Sequence, residues 1–504
     1  MMTQASGAVQ LRHLLAGMIP AAGLQVPDVD ITDITDSSDR VMPGGLFLAC
    51  RGGRHHGLDF AAQAVAAGAA AIAWEVDSDR TPDGLHLDIP CLAVPELGAK
   101  AGLIADRFFA SPSRALHVTG VTGTNGKTTT AWLASQALRK LGCPTGYMGT
   151  IGYGLGDVLA PSALTTPGVI SVHRRLREMA DAGAAAVVME VSSHALEQGR
   201  IDAVQIRTAA FTNLSRDHLD YHGDMRSYGE TKARLFSLET LEHAVINTGD
   251  AFGAELARRC AGRIPVITAA LGGAASAIRP TLTAEVLVAD QNGLVLRFGG
   301  AYGAGEMQSP LWGRFNAENL LVAAGLLLAH DYALDAVLAA LASCNPPPGR
   351  MQIVAKRADA PLVVVDFAHT PDALAKALAV VRQHCAGKVS VVFGCGGDRD
   401  KGKRGEMGSV AAQLADRIIV TDDNPRNEDP DAIAVAIVAG MPAGADVQVV
   451  HDRAVAIRTA IETAGPDDVV LLAGKGSENY QLIGARTLPF ADTEVAAAIL
   501  EGLA

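Results

Sequence analysis

His117-Val118-Thr119-Gly120-Val121-Thr122-Gly123-Thr124-Asn125-Gly126-Lys127-Thr128-Thr129-Thr130 is the stretch that decides the fold. An apolar, β-rich run from Ala115 to Val121 feeds a glycine-rich turn. A helical pattern opens at Lys127 and runs to about Leu141, with Trp132, Leu133, Ala137 and Leu138 on one side. Strand, glycine loop, Lys-Thr and helix describe a phosphate cradle. Backbone N–H groups and the helix dipole favour an anion, Lys127 meets the outer phosphates, and the Thr128 hydroxyl can ligate Mg²⁺. The common loop, G-x-x-x-x-G-K-[ST], requires glycine at position 121, where this chain has Val121. What stands here is the tighter Gly123-x-x-Gly126-Lys127-Thr128.

Around this loop, 504 residues are too many for one core, and roughly three domains of about 150 residues are expected. No apolar run approaches the roughly 20 residues that span a bilayer, so membrane insertion is not expected. The N-terminus has no basic region followed by an apolar core and cleavage site, which argues against secretion. Seven scattered cysteines form no C-x-x-C pair, which fits reduced thiols in a cytoplasm. A formal charge of −12 would repel nucleic-acid backbones.

The pattern predicts an α/β protein: a small N-terminal α/β domain (1–112), a central P-loop-type mononucleotide-binding domain (113–345) and a C-terminal Rossmann-like doubly wound domain (346–504). Ser111-Pro112-Ser113 and Asn345-Pro346-Pro347-Pro348-Gly349-Arg350 read as the linkers. In the first domain, Leu46–Cys50 reads as a buried strand. The polar loop Arg51-Gly52-Gly53-Arg54-His55-His56-Gly57, beside Ser37 and Ser38, could hold a diphosphate or a sugar, or be a solvated basic loop.

In the central domain two strand candidates end in polar tails, Glu190-Val191-Ser192-Ser193-His194 and Thr212-Asn213-Leu214-Ser215-Arg216-Asp217-His218. Ligands collect beyond the carboxyl ends of strands in open α/β sheets, so these tails are expected to face one cleft with the loop. Glu190 and His218 thereby become candidate partners of a nucleotide-bound Mg²⁺. In the third domain strands and helices alternate, and four tails follow strands: Asp366–Asp372, Gly394–Arg404, Asp422–Arg426 and Gly474–Glu478. Their shared edge suggests a second half-site, rich in Arg and Asp and suited to a zwitterion such as an amino acid.

With Glu190–His194, Asn213–His222 and Asp366–Asp372 set beside Gly123-Thr124-Asn125-Gly126-Lys127-Thr128-Thr129, the chain resembles the Mur ligases over essentially its whole length. These are ATP-dependent amide-forming enzymes of peptidoglycan synthesis. The resemblance implies that meso-2,6-diaminopimelate is added to the D-Glu carboxylate of UDP-MurNAc-L-Ala-D-Glu through an acyl phosphate. It implies ATP contacts at Gly123 to Thr129, Asn316, Arg350 and Asp366. Thr128, Glu190, His218 and Lys232 would hold two Mg²⁺, Lys232 as a CO₂-derived carbamate, with Lys127, His218 and Lys232 catalytic. The UDP-MurNAc dipeptide would contact Ser38, Gly53, Arg54, His55, Thr165, Thr166, Ser192, Gln198 and Arg200. Diaminopimelate would contact Arg399, Asp423, Asn424, Pro425, Arg426, Gly474 and Glu478. A cytoplasmic monomer working on small molecules is the expectation.

Two departures from the family pattern are Leu164, where relatives often carry Asn, and Ser477, where they often carry His. Competing readings are the L-lysine-adding form, a folylpolyglutamate-synthase-like ligase, and a P-loop kinase or simple NTPase.

Overall fold

The computed structural model describes residues 7–19, 26–53, 55–76, 87–272, 278–290, 292–355, 357 and 359–502. The chain forms two compact units. The first takes in the chain up to Ala269 and Gly325–Asp331, the second Thr281–Ala324 and the chain from Tyr332.

Besides the short pair Val9–Gln10/Asp30–Ile31, two sheets build the first unit. The smaller is parallel, in the order Asp33–Thr35, Gly45–Ala49, Ala71–Glu75, Cys91–Val94. Gly45–Ala49 is buried throughout, as a strand covered on both faces must be. The larger sheet is ordered Gly152–Leu155, Thr145–Gly149, Ala186–Glu190, His117–Thr122, Ile206–Phe211, His243–Asn247, with Val266–Leu271 beyond. All neighbours are parallel except Gly152–Leu155, which returns antiparallel on Thr145–Gly149. The strand before the glycine loop is therefore central, flanked by the two strands that carry the polar tails.

The helix Lys127–Lys140 starts after Gly126, at φ +85°, and stops at Gly142, also φ +85°. Gly142 N donates to Arg139 O and Cys143 N to Leu138 O, the paired bonds of a glycine-terminated helix.

The second unit contains an antiparallel meander, Leu282–Asp290, Gly293–Gly300 and Gly305–Ser309, where the glycine-rich stretch predicts a β-excursion. Its main sheet is ordered Gln352–Ile353, Leu362–Asp366, Val469–Ala473, Val389–Phe393, Arg417–Val420, Val447–Val449. Helices cover both faces. Val364, Val391, Phe393 and Leu471 pack with Leu374, Leu378 and Met407, while Val363, Val365, Val392 and Leu472 pack with Ile457, Ile461 and Ile499. The alternation of adjacent residues between two cores is what makes the strands read as unbroken apolar runs.

The sheet is parallel apart from its edge strand Gln352–Ile353, which runs antiparallel. Two expectations are corrected. Ser111-Pro112-Ser113 is no exposed linker: Pro112–Ala115 is a short helix, and Ser113 is buried with its hydroxyl accepting from Gln205 N at 3.1 Å. In the loop after Cys50, His56 is buried rather than solvated. Buried His56 accepts from Leu58 N through Nδ1, and its Nε2 lies 3.1 Å from Glu75 O, so it caps the turn Gly57–Phe60.

Candidate active site

The glycine loop closes through contacts that only its own sequence permits. Gly123 sits at φ +147°, and a Cβ there would fall 1.9 Å from Thr212 Oγ1. Thr212 itself donates to Asn125 O at 2.6 Å, and Asn125 N donates to Asn213 Oδ1 at 3.0 Å. The loop is thus sewn to the tail of the neighbouring strand. Lys127 Nζ donates to Gly123 O and Thr124 O at 2.9 and 2.8 Å, curled over the loop that a phosphate would occupy.

At the end of the other flanking strand, buried Glu190 collects four donors. Thr128 Oγ1 reaches Oε2 at 3.0 Å and Thr150 Oγ1 at 3.3 Å, while Tyr147 OH and Thr150 N reach Oε1 at 2.5 and 2.8 Å. A buried carboxylate held by the hydroxyl of a phosphate-loop threonine is an oxygen pair suited to Mg²⁺. Among the described residues no group of three His, Cys, Asp or Glu side chains gathers as a metal cluster.

From Glu190 the network continues outward. Thr166 Oγ1 donates to Glu190 O and accepts from Ser192 N, and Arg200 Nη1 donates to Thr166 O at 2.9 Å. Gln198 Oε1 accepts from Arg200, and Gln198 Nε2 donates to Tyr221 OH at 3.0 Å. Thr165 joins through Thr150, hydroxyl to hydroxyl, at 3.0 Å. Five residues singled out from the sequence, Thr165, Thr166, Ser192, Gln198 and Arg200, therefore join one hydrogen-bonded network with Glu190.

Lys232 is buried on the helix Met225–Ala233. Its Nζ donates to Gly123 O at 2.8 Å, the carbonyl Lys127 also uses, and lies 4.3 Å from the Tyr228 ring centre. Burial, with the neighbouring Lys127 charge, pushes the Lys232 amine well below the usual lysine range. His218 opens the short helix Leu219–His222 at φ +52°; its ring is half-exposed, 3.4 Å from Asp217 and 4.9 Å from the His194 ring.

In the second unit, the four tails lie at the carboxyl ends of adjacent strands. Gly474 N donates to Asp366 O, and Gly397 N to Asn424 O. Asn424 Nδ2 donates to Glu478 Oε2 at 2.9 Å, and Arg426 Nη1 donates to Gly397 O at 2.8 Å. Arg426 is held at φ +54°, a backbone state that a side-chain-bearing residue adopts only when its surroundings impose it. Here Arg426 N donates to Leu482 O and Gly484 N donates to Arg426 O, so the hairpin Tyr480–Ile483/Arg486–Pro489 clamps the turn from both sides. Asp366 accepts from Met351 N and Ala368 N, and burial raises its carboxyl above the usual range against the pull of Arg350.

This chain matches the Mur ligase middle domain over residues 121–327, the Mur ligase glutamate ligase domain over 349–476 and the Mur ligase family catalytic domain over 30–97. It is 47% identical over 479 residues to the UDP-N-acetylmuramoyl-L-alanyl-D-glutamate–2,6-diaminopimelate ligase of Alkalilimnicola ehrlichii, covering 92% of this chain and 95% of the relative. The chain belongs to the Mur ligase family. The ligase of the same name from Xanthomonas campestris is 47% identical over 488 residues, 96% of this chain and 97% of the relative. A solved structure of a ligase of that name superposes with a TM-score of 0.70 at 32% identity, covering 98% and 99% of the two chains. MurF from Acinetobacter baumannii, at 20% identity, TM-score 0.66 and coverage of 94% and 96%, shares the fold.

The three-domain Mur ligase fold accounts for the separate sheets. Within this Mur ligase the remaining sequence-based candidates are more scattered. Ser38 donates to Gln63 Oε1 at 3.1 Å, Gly53 and His55 are exposed, and Arg54 lies outside the described residues. Asn316 is buried at the start of the helix Arg314–Leu328, donating to Trp312 O and accepting from Asn319. Arg350 stacks 4.6 Å from the Phe367 ring centre, Asp423 and Pro425 are buried, and Arg399 is exposed. Leu164 and Ser477, the two departures, are both exposed.

Sequence reasoning missed Tyr147, Thr150, Tyr221 and Tyr228. Tyr147 and Thr150 could have been found, because the strand Thr145–Gly149 ends beside Glu190 and its last residues had to meet that carboxylate. Tyr228 OH, 3.3 Å from Thr124 Oγ1 and pushed up to about 12 by burial, had no signal beyond standing four residues before Lys232.

Proposed function

We propose that this Mur ligase joins meso-2,6-diaminopimelate to the D-Glu carboxylate of UDP-MurNAc-L-Ala-D-Glu, with ATP converted to ADP and phosphate. The observation that carries the reading is the rim of the second unit. There Arg426, Asp423 and Asn424 occupy one turn that is hydrogen-bonded to Glu478. A diamino acid with two carboxylates needs both a guanidinium and acidic groups in one site. A guanidinium pairs bidentately with the distal carboxylate, which L-lysine lacks.

A carboxylate is a poor acylating agent at neutral pH. Transfer of the ATP γ-phosphoryl group to a carboxylate oxygen gives an acyl phosphate and ADP. Attack of the amine on the acyl carbon then forms the amide, and phosphate leaves with the C–O electron pair. Lys127 is placed to swing from its loop carbonyls to the transferring phosphoryl oxygens, and the loop N–H groups orient them. Thr128 and Glu190 are the residues that would hold Mg²⁺, which supplies positive charge to the phosphoryl group when bound. Thr166, Ser192, Gln198 and Arg200 orient the muramoyl dipeptide. His218 is assigned to the same metal site, and a second Mg²⁺ would use a carbamate on Lys232, whose buried amine is the form that reacts with CO₂. The domain bounds 1–112, 113–345 and 346–504, a monomeric state and a cytoplasmic site of action belong to this reading; among the described residues no helix is long and apolar enough to cross a membrane.

The test is ADP release by purified protein with ATP, UDP-MurNAc-L-Ala-D-Glu and either meso-diaminopimelate or L-lysine. The expected result is release that requires the nucleotide dipeptide and favours diaminopimelate. Equal use of lysine would remove the specificity, and turnover without either substrate would make the protein an NTPase.

A further inference from the structure

Lys475 has no part in the contacts assigned above, yet its side chain is fully buried in the middle of them. Its Nζ lies 3.2 Å from Glu478 Oε2 and 3.2 Å from Asn424 Oδ1. Asn424 closes the ring by donating from Nδ2 to the same Glu478 Oε2 at 2.9 Å. The amide has one orientation open to it, because Asn424 Oδ1 also accepts from Leu482 N at 2.9 Å. The Tyr480 ring, 5.7 Å from the ammonium, faces it with π density. The backbone is equally constrained. Glu478 N donates to Lys475 O, and a Cβ on Gly474 or Gly476 would fall 2.7 Å from Asp423 Oδ2 or Phe367 Cβ.

A buried ammonium is retained only when paired, and removing one partner of such a pair leaves the other without its compensating charge. Here the partner is the carboxylate that the proposed function gives to the substrate's distal ammonium. With Oε2 taken by Lys475 and Asn424, Glu478 has only Oε1 left to offer. The charge balance points the same way. Lys475, Arg426 and Arg399 against Asp423 and Glu478 sum to +1, which favours a ligand of no net charge over a cation. Diaminopimelate, with two ammonium and two carboxylate groups, is such a ligand, whereas lysine carries one net positive charge. Without Lys475 the same groups sum to zero, and that bias against the cation is lost.

We propose that Lys475 is a positioning residue that determines amino-acid specificity, by fixing Glu478 and Asn424 and by adding positive charge to the rim. The inference rests on the reading of this rim as the diamino-acid subsite. The experiment is the ratio of kcat/KM for diaminopimelate to that for L-lysine in the wild type, Lys475→Met, Glu478→Gln and the double variant. Wild type is expected to favour diaminopimelate; failure there overturns the function, not the role of Lys475. Lys475→Met is expected to lower the ratio about tenfold, with KM for ATP and the UDP substrate unchanged. In the Glu478→Gln background the same substitution is expected to do much less, since the two residues act as a pair. A ratio that stays at the wild-type value, or an equal effect in both backgrounds, would overturn the proposal. Lys475→Gln, which can donate to the same two oxygens without charge, serves if Lys475→Met does not fold. It too is expected to lower the ratio, and an unchanged ratio counts equally against the proposal.

Discussion

Thr128 Oγ1 stands 3.0 Å from Glu190 Oε2, joining the first turn of the loop helix to the end of the adjacent strand. The hydroxyl and the carboxylate are the two oxygens of the first unit best placed for Mg²⁺ beside a bound triphosphate. Glu190→Gln keeps the shape but halves the acceptor capacity and removes the charge. It is expected to lower kcat about 100-fold and to raise the Mg²⁺ concentration needed for half-maximal rate. Retention of the wild-type Mg²⁺ dependence in steady-state ADP release would show that Glu190 only ties the loop to the sheet.

Lys232 competes with Lys127 for one carbonyl, Gly123 O. Two amines against one acceptor, one of them buried, favour the neutral form of Lys232, which is the nucleophile toward CO₂. Protein equilibrated with ¹³C-bicarbonate is expected to show a carbamate resonance that disappears in Lys232→Met, with activity falling about 100-fold or more. Full activity of Lys232→Met would remove the carbamate from the mechanism.

Arg426 is held by its own backbone before any ligand arrives, so its guanidinium is preorganised rather than recruited. Arg426→Lys keeps a positive charge but loses the fork that matches a carboxylate. Its KM for diaminopimelate is expected to rise about 10- to 100-fold, while KM for UDP-MurNAc-L-Ala-D-Glu stays put. Equal rises in both constants would mark Arg426 as a structural turn residue.

The glycine loop, the tails after the strands and the alternation of the last domain were legible because each depends on local spacing. The helix expected from Lys127 to about Leu141 spans Lys127–Lys140, and the strand expected at Leu46–Cys50 spans Gly45–Ala49. What was illegible depends on pairing across the chain. The hairpin Tyr480–Pro489 is short and has no strong alternation, so its hold on Arg426 is visible only once Leu482 and Gly484 are seen to bond that turn. Ser113 looks like a linker residue until Gln205, far along the chain, supplies its donor. Lys475 sits between glycines and reads as solvated, and only Asn424 and Glu478 together explain its burial.

The His117 and His330 rings lie tilted against each other at the opposite end of the central strand from the glycine loop, ring centres 4.1 Å apart. His117 bonds Thr208 at 2.9 Å, and His330 lies 3.5 Å from Thr119. Burial above all, then Arg207 and His243 for His117, and His117 and His243 for His330, push both imidazoles down to about 4; Asp331 opposes this weakly. A histidine that is harder to protonate in the folded state adds no penalty above its unfolded value near 6.5. As pH falls from there toward 4 the unfolded chain gains protons that the folded one refuses, and stability is lost. Each ring contributes at most about 1.4 kcal/mol per pH unit in that window, less for the solvent that reaches the cluster's edge. Urea unfolding between pH 7 and 4.5 is expected to show this decline. His330→Gln is expected to flatten it by roughly half, because it removes one titrating ring and the repulsion it exerts on the other. An unchanged slope in His330→Gln would assign acid sensitivity to other groups.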